Sequence, residues 1–131
     1  MPAHHVNKII DTLVYNETMI LYVSATQGEA AQVPSHYPLI VTGIGIIRAT
    51  LTLTEYLARA DEPPERIINF GTAGSLDGNT GIFEINHVFQ HDFDHKVIEQ
   101  IIGKPFPNGI DLPTVSTLPT ARLATGDSFV N

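Results

Sequence analysis

Short apolar runs alternate with turn-forming residues along most of the chain. Residues 20–24 (I-L-Y-V-S) form an unbroken run of β-favouring side chains, and residues 38–42 (P-L-I-V-T) and 66–70 (R-I-I-N-F) repeat the pattern. Between the second and third runs, residues 46–60 carry apolar side chains at roughly helical spacing and end at the proline-containing loop 61–65. Apolar strands separated by a helical segment are typical of a mostly parallel sheet on which helices pack.

The second half of the chain predicts further strands and one more helix. Residues 83–92 have the mixed polarity of a long strand, and residues 110–115 and 122–125 are candidates for two shorter ones. Asp94 suits the cap of a helix that ends before Gly103, because a carboxylate accepts from first-turn amides and glycine tolerates a left-handed end. The predicted fold class is therefore α/β, with a mostly parallel but mixed central sheet and helices on its faces.

The first 18 residues differ from those that follow. They combine His4 and His5 with short apolar pieces, whereas an apolar, β-favouring run opens at Met19. We therefore expect residues 1–18 to be an N-terminal extension and residues 19–131 to form one α/β domain.

Composition and charge narrow the classes of function. Of the 131 residues, 43% are hydrophobic, which is enough to fill a core and excludes disorder of the whole chain. A net charge of −7 repels phosphate backbones, so a nucleic-acid partner is not expected. The absence of cysteine excludes a disulfide scaffold and cysteine catalysis. No apolar run approaches the roughly 20 residues that span a bilayer, and no secretion signal is evident, so we expect a cytoplasmic protein without a membrane partner.

Small residues recur where the predicted strands stop. They occur at residues 24–26, 42–45, 71–74 and 125–127. In an open parallel sheet, ligands bind outside the carboxyl ends of the strands. Glycine there lets backbone amides approach a ligand, and serine or threonine adds a hydroxyl group. We therefore expect a small-molecule site at this edge rather than turn chemistry alone.

The sequence supports neither a dinucleotide cofactor nor a metal ion well. The G-I-G run at residues 43–45 begins like a dinucleotide fingerprint, but Arg48 stands where the third glycine belongs, so no cofactor is expected. His87, His91 and His95 are four residues apart and would share one face of a helix, where they could bind zinc or iron. Because the segment around the first of them is predicted to be a strand, we expect the three rings to diverge and to bind no metal.

Four short blocks follow one another in a particular order. They are residues 23–29 (V-S-A-T-Q-G-E), 42–45 (T-G-I-G), 67–76 (I-I-N-F-G-T-A-G-S-L) and 124–130 (A-T-G-D-S-F-V). In this order they resemble the nucleoside phosphorylase and nucleosidase superfamily, and most of all its 5'-methylthioadenosine/S-adenosylhomocysteine nucleosidase branch. The third and fourth blocks are the most specific, being close to the family patterns I-N-x-G-x-A-G-x-L and S-G-D-x-F-I. The resemblance covers residues 19–131 and implies a phosphorylase/hydrolase-like three-layer sandwich.

The resemblance also implies an activity and a set of site residues. Members of the family hydrolyse the N-glycosidic bond of purine nucleosides such as methylthioadenosine and S-adenosylhomocysteine. Glu29 corresponds to the glutamate that activates water, Phe129 to the ring that stacks on the purine, and Val130 to the residue whose backbone contacts the base edge. The other substrate-binding positions that the resemblance implies are Ala25, Thr26, Ile44, Thr72, Ala73 and Gly74. From the residues alone, Glu29 equally fits a solvated glutamate at a helix start.

Two departures from the family pattern leave alternatives open. Gln27 and Asn69 occupy the neighbourhoods in which phosphorylases carry phosphate-binding arginines, which favours water as the nucleophile. The sequence stops at Asn131, before the family's ribose-binding helix and base-protonating aspartate, so we expect a C-terminally truncated chain with weak or no activity. A non-catalytic purine-binding remnant and a phosphate-dependent phosphorylase remain alternatives. Family members are commonly dimers, and we expect a homodimer.

Overall fold

A computed structural model describes residues 19–130, so the predicted N-terminal extension lies outside the described residues. By its internal contacts the chain divides into two compact units, Met1–Leu76 and Asp77–Asn131. No helix among the described residues is long and apolar enough to cross a membrane. In chain order the elements are β1 (Ile20–Ser24), α1 (Gln27–Ala30), β2 (Leu39–Val41), α2 (Ile46–Arg59), β3 (Arg66–Asn69), β4 (Glu84–Gln90), α3 (His95–Ile102), β5 (Ile110–Asp111) and β6 (Thr120–Thr125).

The first unit contains a parallel sheet of three strands in the order β2-β1-β3. Tyr22 of the central strand is in register with Leu39 on one side and with Ile68 on the other. All five residues of β1 are buried, including Ser24. A strand that is covered on both faces gains from apolar side chains at successive positions, which explains the unbroken run at residues 20–24.

The core of this unit forms around the central strand. Ile20, Tyr22 and Val33 make a buried cluster. The ring of Tyr37 meets that of Tyr22 edge-on, with the centroids 5.3 Å apart, an arrangement that adds about 0.5–1.5 kcal/mol to the burial of the rings. Further partly buried side chains pack against the cluster, namely Leu39, Ile68 and Phe70. The residues that precede the small-residue turns are therefore held rigidly.

Helix α2 confirms the helix predicted between the second and third strands. Its residue Thr52 donates from Oγ1 to the carbonyl oxygen of Thr42 at 3.2 Å, which ties the helix to the end of β2. Ile47 and Leu51, one turn apart, are 70% and 65% exposed. Part of the apolar surface of this helix thus faces outwards within the first unit.

The second unit contains a mixed sheet in the order β5-β4-β6. Strand β4 pairs in parallel with β6 and antiparallel with β5, and its register shifts between Ile85 and His87. The strand expected over residues 110–115 is shorter than predicted, because only Ile110 and Asp111 pair with β4. No side chain among residues 77–130 is fully buried. The described part of this unit therefore has no closed core of its own.

Helix α3 begins and ends as its sequence predicts. Asp94 caps it, since its Oδ1 accepts from the backbone N–H of Val97 at 3.0 Å. Gly103 closes the helix in the left-handed region, with φ at 69°. Both units thus combine helices with mostly parallel strands, and the α/β character predicted from the sequence is confirmed at that level.

Candidate functional site

The turn after β1 places Glu29 at the start of a short helix. Thr26 is the N-cap of α1: its backbone is extended, and its side-chain oxygen accepts from the backbone N–H of Glu29 at 3.3 Å. The spacing T-x-x-E is that of a capping box, in which the glutamate sits three residues after the cap. The first turn of α1 is therefore fixed by local chemistry, and with it the point from which the Glu29 side chain extends.

The Glu29 carboxylate links the end of β1 to the end of β3. Its Oε1 accepts from the backbone N–H of Thr72 at 2.9 Å and from the Thr72 hydroxyl at 3.0 Å. Its Oε2 accepts from the Thr26 hydroxyl at 3.0 Å and, over a longer distance of 3.4 Å, from the Ser24 hydroxyl. The structure thus brings together three of the predicted site residues, Thr26, Glu29 and Thr72.

These hydrogen bonds lower the pKa of the Glu29 carboxyl group. The backbone N–H of Thr72 is the largest cause of a pKa below the ordinary value of 4.5, and partial burial of the carboxyl group opposes it. The hydroxyl groups of Thr72 and Thr26 lower the pKa further. Glu29 is therefore a carboxylate at neutral pH, held from two sides by uncharged donors.

Gly71 makes room for this contact. A Cβ atom at Gly71 would stand 3.0 Å from Glu29 Oε1 and 3.3 Å from its Cδ. The φ of Gly71 is outside the left-handed region, so space rather than backbone conformation favours glycine here. The first glycine of the G-T-A-G turn thus allows Glu29 to reach the Thr72 amide.

The remaining predicted residues of the first unit lie in the loops that follow its strands. Ala25 is partly buried directly after β1. Ile44 is 75% exposed, between two glycines in the left-handed region. Ala73 and Gly74 are exposed, and a Cβ atom at Gly74 would meet nothing within 4 Å. The structure therefore leaves these positions accessible and gives none of them a fixed role.

A groove of about 250 Å³ opens beside the same strand ends. Val23, Thr42 and Asn69 line it from the sheet, and Ala49 and Leu53 line it from α2. Pockets for drug-sized ligands enclose about 300–1,000 Å³, so this groove alone is small for a nucleoside. We assign no ligand to it.

Phe129 and Val130 lie in the second unit, after β6. Their side chains are 96% and 49% exposed. The turn that leads to them is held by a residue that the sequence analysis did not single out: Asp92 Oδ2 accepts from the backbone N–H groups of Asp127 at 2.7 Å and Ser128 at 3.1 Å. The sequence did indicate a turn of small residues directly before Phe129. Nothing in the sequence indicated that Asp92 is the residue that holds this turn.

The electrostatics of Asp92 reflect this contact. The side chain of Gln90 donates to Oδ1 at 2.9 Å, and this hydrogen bond is the largest cause of a pKa lowered to about 2. The backbone N–H groups of Asp127 and Ser128 and the Ser128 hydroxyl also lower the pKa of Asp92. Desolvation, the second-largest cause, raises the pKa and opposes them. Asp92 is therefore ionised throughout the physiological range.

The three histidines of the metal hypothesis have different surroundings. His87 lies within β4, and its Nδ1 is 2.6 Å from Asp111 Oδ1. His95 begins α3, with its ring 5.0 Å from the ring of Phe93. His91 and His95 both line a cavity of about 410 Å³. Within residues 19–130, no group of three histidine or acidic side chains is arranged to hold a metal ion.

Comparisons of the chain with models of protein families, with curated proteins and with solved structures found no match. The resemblance of the four sequence blocks to the nucleosidase family therefore stays a prediction.

Proposed function

We propose that the protein is a purine nucleosidase, which hydrolyses the N-glycosidic bond of a nucleoside such as methylthioadenosine or S-adenosylhomocysteine. Glu29 would activate the attacking water, and Phe129 would stack on the purine. The two residues lie in different units of the chain, and each role has an experiment of its own.

The observation that carries the proposal is the fixed, ionised carboxylate of Glu29. Thr72 supplies two donors to Oε1, so this oxygen is largely occupied. Oε2 accepts from the Thr26 hydroxyl at 3.0 Å and from the Ser24 hydroxyl at a longer 3.4 Å, and we place the attacking water beside this oxygen, in exchange for the longer contact. A carboxylate that is already held in place can accept the proton of the attacking water without rearranging, and this property favours general-base catalysis.

In the proposed reaction the C–N bond breaks as water attacks the ribosyl carbon. The bonding electron pair leaves with the purine, which takes up a proton from solvent. The attacking water loses its proton to the Glu29 carboxylate. Because an oxocarbenium-like carbon makes that water strongly acidic, a carboxylate with a low pKa is a sufficient acceptor.

The purine is assigned to Phe129 and the backbone of Val130. The exposed ring of Phe129 has its faces available for stacking on a flat heterocycle. The remaining positions implied by the family motifs, namely Ala25, Ile44, Ala73 and Gly74, are accessible, as substrate contacts need to be.

The proposal includes the finer expectations that come with the family. These are a three-layer sandwich, a homodimer and a cytoplasmic location. The outward-facing Ile47 and Leu51 of α2 support burial of that helix against further protein. Gln27 and Asn69, in place of phosphate-binding arginines, support water over phosphate as the nucleophile.

The test is the release of free adenine from methylthioadenosine, in buffer with and without phosphate. We expect equal rates in the two buffers. Release that requires phosphate would contradict the hydrolase and favour a phosphorylase. Calorimetric titration with adenine and methylthioadenosine completes the experiment: binding without release would favour a non-catalytic purine binder, and no binding of either compound would contradict both functions.

A further inference from the structure

The turn before Phe129 is held by one carboxylate from the neighbouring strand. Strands β4 and β6 are parallel and in register at Gln90 and Thr125, so the residues that follow them meet at the same edge. Asp92 comes two residues after β4. Its Oδ2 accepts from the backbone N–H of Asp127 at 2.7 Å, from that of Ser128 at 3.1 Å and from the Ser128 hydroxyl at 3.3 Å.

Two features make this contact specific. Gln90 donates from its side chain to the other oxygen of Asp92 at 2.9 Å, which fixes the rotation of the carboxylate. Gly126 leaves the space that the carboxylate fills, because a Cβ atom at Gly126 would stand 2.7 Å from the Cγ and Oδ2 atoms of Asp92 and 2.7 Å from His91 Nε2. The turn and the carboxylate therefore fit each other only when residue 126 has no side chain.

The ring that follows this turn is exposed. The Phe129 side chain is 96% exposed, so its own packing contributes little to its direction. The backbone conformation at Asp127 and Ser128 is what sets the course of the chain into Phe129. Fixing that backbone before a ligand arrives reduces the conformational entropy lost on binding.

We propose that Asp92 is a positioning residue for purine recognition, which acts through Phe129 by holding the backbone of Asp127 and Ser128. This inference rests on the proposed function, because it requires that Phe129 stacks on the purine. Asp92 itself is not assigned a contact with the substrate. Gly126 is part of the same arrangement, since a side chain at this position would displace the Asp92 carboxylate.

The experiment compares Asp92→Ala and Asp92→Asn with the wild type in two measurements. Amide NMR signals of Asp127 and Ser128 report the contact, and calorimetric titration reports adenine affinity. We expect Asp92→Ala to shift both amide signals and to weaken adenine binding roughly 2- to 10-fold, the scale of ordering one side chain. Asp92→Asn, which keeps one acceptor oxygen, should recover part of that loss.

Two further variants separate positioning from a general structural effect. Asp94→Ala is the matched control, because it removes a carboxylate from the same loop. The Asp94 carboxylate contacts the first turn of α3 and not the turn before Phe129, so this variant should leave adenine affinity unchanged. In a Phe129→Ala background, Asp92→Ala should have no further effect on adenine affinity, because the ring through which Asp92 acts on the ligand is absent.

The outcomes distinguish the two proposals. If the amide signals shift in Asp92→Ala while adenine affinity stays at the wild-type value, the positioning role is refuted. Losses that add in the double variant also refute it, because Asp92 would then act by another route. Failure of the wild type to bind adenine contradicts the proposed function, and the purine role of Asp92 with it.

Discussion

Replacement of Glu29 by glutamine tests the physical claim about its carboxylate without reference to catalysis. The variant keeps the size of the side chain and removes its charge. Three contacts of 3.0 Å or less are affected, from the Thr72 amide, the Thr72 hydroxyl and the Thr26 hydroxyl. A hydrogen bond to a charged group contributes about 1.5–3 kcal/mol and a neutral one about 0.5–1.5 kcal/mol, so each contact should weaken by about 1 kcal/mol.

Solvent reduces the sum, because Glu29 is only partly buried. We expect Glu29→Gln to lower the free energy of unfolding by about 1–2 kcal/mol at neutral pH. The folded-state pKa lies below the ordinary value of 4.5, so the stabilisation is fully present above 4.5 and is lost as the pH falls through the folded-state pKa. The difference between variant and wild type should therefore shrink on acidification.

The assay is urea unfolding followed by tyrosine fluorescence. The sequence has no tryptophan, and its tyrosines all fall within Met1–Leu76, so the signal reports the unit that contains Glu29. Glu62→Gln is the matched control, since Glu62 is exposed in a loop, and it should match the wild type. A Glu29→Gln variant as stable as Glu62→Gln at neutral pH, or a stability difference that does not change with pH, would show that the charge of Glu29 does not stabilise the fold.

Three further predictions follow from single contacts. Phe129→Ala should weaken adenine binding by roughly 1–3 kcal/mol, the range for base–aromatic stacking, and leave the melting temperature of the free protein unchanged; a large fall in melting temperature would assign the ring to packing instead. Gly71→Ala should push the Glu29 carboxylate away from Thr72 and raise the pKa of Glu29, and carboxyl NMR titration showing the wild-type pKa would contradict that geometry. The carboxyl signal of Asp92 should titrate near 2, and loss of the Gln90 side chain in Gln90→Ala should raise that pKa; titration at the ordinary value of 3.8 in the wild type would exclude the hydrogen bonds described.

The elements of the fold were predictable where local chemistry decides them. The unbroken run at residues 20–24 predicts a strand, and β1 is the buried central strand of its sheet. Asp94 and Gly103 predict the ends of α3, because capping depends on residues within the helix itself. The length of β5 had a local signal that the prediction over residues 110–115 did not use, because Pro113 has no backbone N–H to donate to a neighbouring strand.

The candidate site was predictable only in part. The spacing of Thr26 and Glu29 is a local signal, and it places the carboxylate at a helix start. Its contact with Thr72 joins residues 43 positions apart, and that of Asp92 with Asp127 joins residues 35 apart. Such pairs depend on the order and register of strands. A sequence pattern gives the donors and acceptors but not their partners.

In the proposed reaction Glu29 activates the water that cleaves the nucleoside. The most direct measurement is the rate of adenine release from methylthioadenosine in phosphate-free buffer, compared between the wild type, Glu29→Gln and the control Glu62→Gln. We expect weak release by the wild type and the control, and a rate about 10²–10⁴-fold lower for Glu29→Gln, the usual contribution of a general base. Equal rates for all three proteins would contradict this role of Glu29, and adenine binding by a wild type that releases none would favour the non-catalytic purine binder.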